Sequence, residues 1–108
     1  MNTPNVVIKS KNVNSQLLFT QINDYVMDGI LTGSVRWTDD IHRESFIEVV
    51  DDFLTELEAS AKITQFNAIC DLRNNSYADF EKGVAKITIR YKQINCLNVT
   101  EVVYYITD

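Results

Sequence analysis

The chain has 108 residues, of which 45% are hydrophobic and 23% charged, enough to bury one core without metal or disulfide support. Its formal charge of −5, with ten basic residues scattered along the sequence, argues against nucleic acid as a partner and for a basic protein surface. The aromatics run from Phe19 to Tyr105, which speaks against wholesale disorder, and no apolar run approaches the length that crosses a bilayer, so the expectation is a soluble protein that starts in the cytoplasm without a membrane partner.

The β-branched run Asn5 to Lys9, after the only proline, Pro4, reads as a short strand or extended arm. Asn14 or Ser15 then caps a first helix over about Ser15 to Gly29, with Leu18, Ile22, Tyr25, Val26 and Ile30 recurring at spacings of three to four. Ile30 to Trp37 is too short and glycine-marked for a helix; it reads as a connection that anchors Val35 or Trp37 in the core. Thr38 or Asp39 caps a second helix over Asp40 to about Ser60. At 100° per residue, Phe46, Ile47, Val50, Phe53, Leu54, Leu57 and Ala61 share one arc, and Glu44, Glu48, Asp51, Asp52, Glu56 and Glu58 share the other.

The period then falls to two. Phe66, Ala68, Cys70 and Leu72 line one side of a strand, and Arg73 to Lys82 form a polar, Asn- and Asp-rich connection before Gly83. In the next strand Val84, Lys86, Thr88 and Arg90 alternate with Ala85, Ile87, Ile89 and Tyr91. A last strand, about Val99 to Thr107, alternates Val99, Glu101, Val103 and Tyr105 with Thr100, Val102, Tyr104 and Ile106. The expected fold class is α+β, a single domain over 1–108, with two helices packed on a small, mostly antiparallel sheet and strand-like arms at both termini.

Catalytic patterns are sparse. The only histidine, His42, falls in the first turns of the second helix and reads as solvent-facing; Cys70 and Cys96 read as reduced core thiols. Asp39/Asp40 and Asp51/Asp52 are adjacent, so on a helix they point about 100° apart and read as cap and solvated-face residues. Asp71, Asn74, Asn75, Asp79 and Glu81 offer oxygens for a cation, but without the spacing or central glycine of a calcium-binding loop. No zinc set and no glycine-rich phosphate cradle is present. The expectation is a non-enzyme with no metal and no cofactor. Its surface is the informative part: no lysine or arginine lies between Glu44 and Ala61, so nothing relieves the acidic stripe, and a basic partner would.

The stretch Phe66 to Asn75, FNAICDLRNN, resembles the C-terminal domain of contractile-tail sheath proteins of phages and related injection machines, in which a strand of the form F-x-V-x-C-D leads into an Asn-rich connection. FLTELEASAKITQFNAICDLRNN is similar in order and spacing, as are Trp37, Ile41 and Arg43 before it and the closing strands KITIRYKQ and EVVYYIT. The resemblance covers about Ser15 to Asp108. Sheath proteins are several times longer, with outer domains, and a proline of their penultimate strand is replaced here by Lys92 to Ile94.

The resemblance implies a virion protein assembled in the host cytoplasm: a sheath, neck or baseplate component that forms a homo-oligomeric ring or tube with other tail proteins. Terminal strands would complete a sheet in adjacent subunits. The arm over residues 1–11, with Val6, Val7 and Ile8, and the C-terminal strand, with Val102, Tyr104 and Ile106, are the strands for this exchange. Glu44, Glu48, Asp51, Asp52 and Glu56 with Asp71, Asn74 and Asn75 complete the expected interface. The stand-alone baseplate protein that initiates the sheath matches the short length, but its Glu-Pro-Arg segment is missing. The alternative from another class is a small acidic phage or mobile-element binding protein or inhibitor that covers a basic surface.

Overall fold

A β-branched run after Pro4 forms β1 (Asn5–Lys11) in the computed structural model, which describes residues 4–107; residues 1–3 of the expected arm, and Asp108, lie outside the described residues. The Ser15 hydroxyl accepts from the Leu18 N–H at 3.2 Å and opens α1 (Gln16–Thr32). The Asp39 carboxylate accepts from the N–H groups of Ile41 and His42 at 2.9 and 3.3 Å and opens α2 (Asp40–Ala59). Then follow β2 (Ile63–Ile69), α3 (Tyr77–Glu81), β3 (Ala85–Gln93) and β4 (Val99–Thr107). The four strands form one sheet in the order β1-β4-β3-β2, with every neighbouring pair antiparallel. The fold is α+β.

Three boundaries differ from the sequence expectation, each for a local reason. α1 runs through Gly29 to Thr32 because this glycine serves a close approach rather than a stop: a Cβ there would stand 2.7 Å from Phe46 Cε2 on α2. β2 begins at Ile63 and ends at Ile69, so Leu72 falls in the following turn and is 63% exposed instead of facing the core; Ala61 lies beyond α2 at φ 58° and leaves its apolar arc. The polar connection contains α3, opened by the Ser76 hydroxyl, which accepts from the Asp79 N–H at 3.1 Å and so turns Phe80 into the core.

One face of the sheet carries the core. Ala85, Ile87, Ile89 and Tyr91 of β3 and Thr100, Val102, Tyr104 and Ile106 of β4 are buried there, against Leu18, Ile22, Val26 and Ile30 of α1 and Phe46, Val50, Leu54 and Leu57 of α2. The Tyr104 phenol donates to Asn23 Oδ1 on α1 at 3.0 Å, which satisfies the hydroxyl of a ring that burial would otherwise leave unpaired. Tyr25, expected in the core, is 40% exposed and instead stacks on Phe53 of α2, ring centroids 4.0 Å apart. Trp37 is buried, edge-on to Phe46 at 5.6 Å.

The C-terminal strand is not an arm. β4 is a central strand, flanked by β1 and β3, and its Val102, Tyr104 and Ile106 are completely buried in this chain's own core. These three side chains are therefore unavailable to a neighbour, because exposing them would dismantle the packing under both helices. Cys96 also departs from its expected core strand: it is half-buried in the β3–β4 connection, whereas Cys70 is buried just after β2.

Candidate interaction surface

The chain's charges separate by layer. α1 and α2 hold nine of the fifteen acidic residues, and the one lysine or arginine on them, Arg43, is buried. With Phe46, Val50, Leu54 and Leu57 turned inward, the 100° step places Glu44, Glu48, Asp52, Glu56 and Glu58 outward, and all are exposed. Asp51 is half-buried at the rim. Burial, reinforced by the neighbouring Asp52 charge, pushes its carboxyl above the ordinary range. The expected acidic stripe is thus a continuous surface.

Asp71 joins one end of it. Glu44, Glu48 and Asp51 border a shallow groove whose other wall is Ala68, Cys70, Asp71 and Arg73. Asp71 is held below the ordinary carboxylate range by the Arg73 side chain, whose Nη2 donates to Oδ2 at 2.7 Å. Asn74 and Asn75, by contrast, are occupied within the chain. Asn74 Nδ2 donates to the Ile69 carbonyl at 2.9 Å and the Thr88 hydroxyl at 3.1 Å, and Asn75 Oδ1 accepts from the Lys86 N–H at 2.7 Å. They fasten the β2–α3 connection to the start of β3, so the Asn pair is a clasp in this fold.

Of the expected arm, Val6 and Ile8 are half-buried toward the core, while Val7 is 58% exposed on the other face. Among the described residues β1 pairs with β4 alone, from Asn5 opposite Thr107 to Lys11 opposite Glu101, and no strand covers its second edge.

The sheet face turned away from the helices was missed in the sequence. Cross-strand partners share a face, and the register sets Lys9 and Lys11 of β1 beside Val103 and Glu101 of β4, with Lys86, Arg90 and Lys92 of β3 beside Tyr105, Glu101 and Val99. Half of the ten basic residues, expected to be scattered, thus lie on one surface. Glu101 is the one acid on these three strands, and it accepts from Arg90 Nε at 2.8 Å. Lys9 and Lys86 stand 5.4 and 5.8 Å from the Tyr105 ring centroid. The signal in the sequence was the period of two in β3, where Lys86, Thr88, Arg90 and Lys92 alternate with the apolar set.

His42 sits at the start of α2, where its Nδ1 accepts from the Arg36 N–H at 3.1 Å and holds the α1–α2 connection. Burial pushes the Cys70 thiol up to about 12, against a smaller opposing effect of Arg43. Among the described residues no three His, Cys, Asp or Glu side chains converge as a metal site would require, and no helix is long and apolar enough to cross a membrane. No family model, curated protein or solved structure matches this chain.

Proposed function

We propose that the chain is a structural subunit of a contractile tail or a related particle, in a sheath-like, neck or baseplate role, which joins its neighbours by exchanging the N-terminal strand. The observation that supports this most directly is the placement of β1. It is an edge strand, its apolar contribution is limited to half-buried Val6 and Ile8, and it reaches α1 through the short link 12–15. A strand held in this way contributes the same main-chain ladder to β4 of a neighbour as to its own, so exchange conserves the bonds and adds connectivity between subunits. The sequence resemblance over FNAICDLRNN supplies the class of particle. Association would be with protein, within an assembled virion.

The test is deletion of residues 1–10, studied at roughly 1 M salt, where the Debye length is about 3 Å and contacts between charged surfaces are screened. The full chain should form oligomers that sediment above monomer mass. The truncated chain should melt cooperatively, stay monomeric, and bind an added peptide of sequence NVVIKSK. A truncated chain that still oligomerises to the same extent would exclude strand exchange.

A second reading, a small acidic protein that covers a basic surface, is favoured by one observation: the exposed acids from Glu44 to Glu58 have no exposed lysine or arginine on either helix beside them. Purification with a single non-virion partner at equal stoichiometry would support it.

A further inference from the structure

We propose that the basic outer face of the sheet docks on the acidic helix layer of a second copy of this chain, head to tail, so that one contact repeats from subunit to subunit. The strand-exchange reading concerns sheet edges. This one concerns the two broad faces and stands without it.

Charge complementarity carries the inference. The outer sheet face presents Lys9, Lys11, Lys86, Arg90 and Lys92 against the single acid Glu101. The helix layer on the opposite side presents Glu44, Glu48, Asp52, Glu56 and Glu58 without an exposed lysine or arginine on either helix. A protein of net charge −5 that spread its cations evenly would leave neither surface so one-sided. Each face repels its own kind, so a two-fold dimer joining like faces is disfavoured. The favoured contact joins unlike faces, and because these lie on opposite sides of the molecule, occupying one leaves the other free.

The faces also carry matching apolar groups. Val7, 58% exposed, pairs across β1 and β4 with Tyr105, 38% exposed, in the middle of the lysines. On the helix layer Ile41 and Val49, 72% and 50% exposed, adjoin the acids. An apolar patch ringed by charge is the usual form of a protein contact, with the charges setting orientation and encounter rate. Such a heterologous contact generates a ring where the rotation closes and a stack where it does not.

The experiment is a charge exchange between two versions of the chain. One carries Glu48→Lys, Asp52→Lys and Glu56→Lys, so the outward centre of its helix face is basic, like its sheet face. The other carries Lys9→Glu, Lys86→Glu and Lys92→Glu, so both of its faces are acidic, with the Arg90–Glu101 pair left in place. Circular dichroism and thermal melting report folding, and sedimentation velocity at low salt reports association. The wild type should associate at low salt and dissociate as salt rises. Each variant alone should associate on the order of ten- to hundredfold more weakly, as the loss of three exposed ion pairs would give. An equal mixture should recover assembly with the two versions alternating.

Should the acidic version fail to fold, Lys86→Gln and Lys92→Gln replace its changes, and the expected result is weaker association that responds less steeply to salt. A mixture that stays monomeric, or single variants that associate as the wild type does, would overturn the proposal. So would a duplex DNA that binds the wild type and not the Lys-to-Glu version, with self-association unchanged between the two, since the basic face would then belong to a phosphate backbone.

Discussion

The hydroxyl of Thr100, a fully buried residue, donates to the main-chain carbonyl of Asn12 at 2.7 Å and ties the end of β1 to the start of β4. The Asn12 amide reaches back to the Val99 carbonyl at 3.5 Å. This contact closes the N-terminal strand onto its own sheet.

Thr100→Val keeps the side-chain shape but leaves the Asn12 carbonyl without its donor. The cost should be about 0.5–1.5 kcal/mol, the net contribution of one hydrogen bond, because Asn12 is an exposed residue. Local loosening should be larger than global loss, so amide exchange in Val6 to Lys9 should accelerate before that in β3. Chemical denaturation and hydrogen exchange together read this. Equal acceleration in all four strands would mean that β1 does not open separately.

Asn12 adopts φ 60°, a left-handed conformation that asparagine tolerates better than most residues. Proline is locked near −65° and cannot form this turn. Asn12→Pro should therefore open the closed strand and raise the oligomer fraction of the full chain at high salt, whereas Asn12→Gly should leave it closed with stability changed by a few tenths of a kcal/mol, about the range of compatible turn changes. Gel filtration of the two variants side by side is the measurement. A monomeric, fully stable Asn12→Pro chain would show that this turn does not control the strand.

Arg43 is 6% exposed, with its guanidinium 3.6 Å from the Phe80 ring centroid and bonded to the Trp37 carbonyl and the Asp40 carboxylate. It joins α2, the α1–α2 connection and α3 at one point. Arg43→Lys should not restore what Arg43→Ala loses, because an ammonium cannot reproduce the planar fork that stacks on the ring while donating in two directions. Both should lower stability by roughly 1.5–3 kcal/mol, the range for hydrogen bonds to charged groups. Thermal melts decide it, and a lysine variant within a few tenths of a kcal/mol of the wild type would refute the geometric account.

The same residue marks where the sequence stops being legible. The apolar spacing of Leu18, Ile22, Val26 and Ile30, the Asp39 cap and the alternation through Ile87, Ile89 and Tyr91 declare their structure locally, since each depends on neighbours within a turn or a pleat. Arg43 does not, because a cation near a helix start reads as solvated until Phe80, far along the chain, is known to cover it. The basic face was hidden for a related reason. Lys9 and Lys86 meet over Tyr105 through the order β1-β4-β3, and that order is a property of the whole sheet. Val102, Tyr104 and Ile106 showed the right alternation, but the central place of β4 assigned them to the core.

The acidic layer makes a pH prediction through Asp51, whose carboxyl is raised by burial and by Asp52. A carboxyl raised in the folded state above its ordinary value of about 3.9 stabilises the fold while protonated in both states. That contribution is complete below the unfolded value and is lost as pH rises through the folded one, so at neutral pH the charged Asp51 weakens the monomer. Asp51→Asn should accordingly stabilise the monomer at pH 7, by roughly 0.5 kcal/mol or less as for other surface changes, and the gain should vanish in acid.

Asp71 gives the opposite sign, because its carboxyl is held down by Arg73. Its contribution is present above the unfolded value and lost as pH falls through the folded one, so Asp71→Asn should cost stability at pH 7 and little in acid. Urea denaturation of the three proteins across this range at high salt, where self-association is screened, gives two difference curves of opposite sign that converge at low pH. An Asp51→Asn chain no more stable than the wild type at pH 7 would show that burial and the neighbouring Asp52 charge do not weaken the fold through the ionised Asp51.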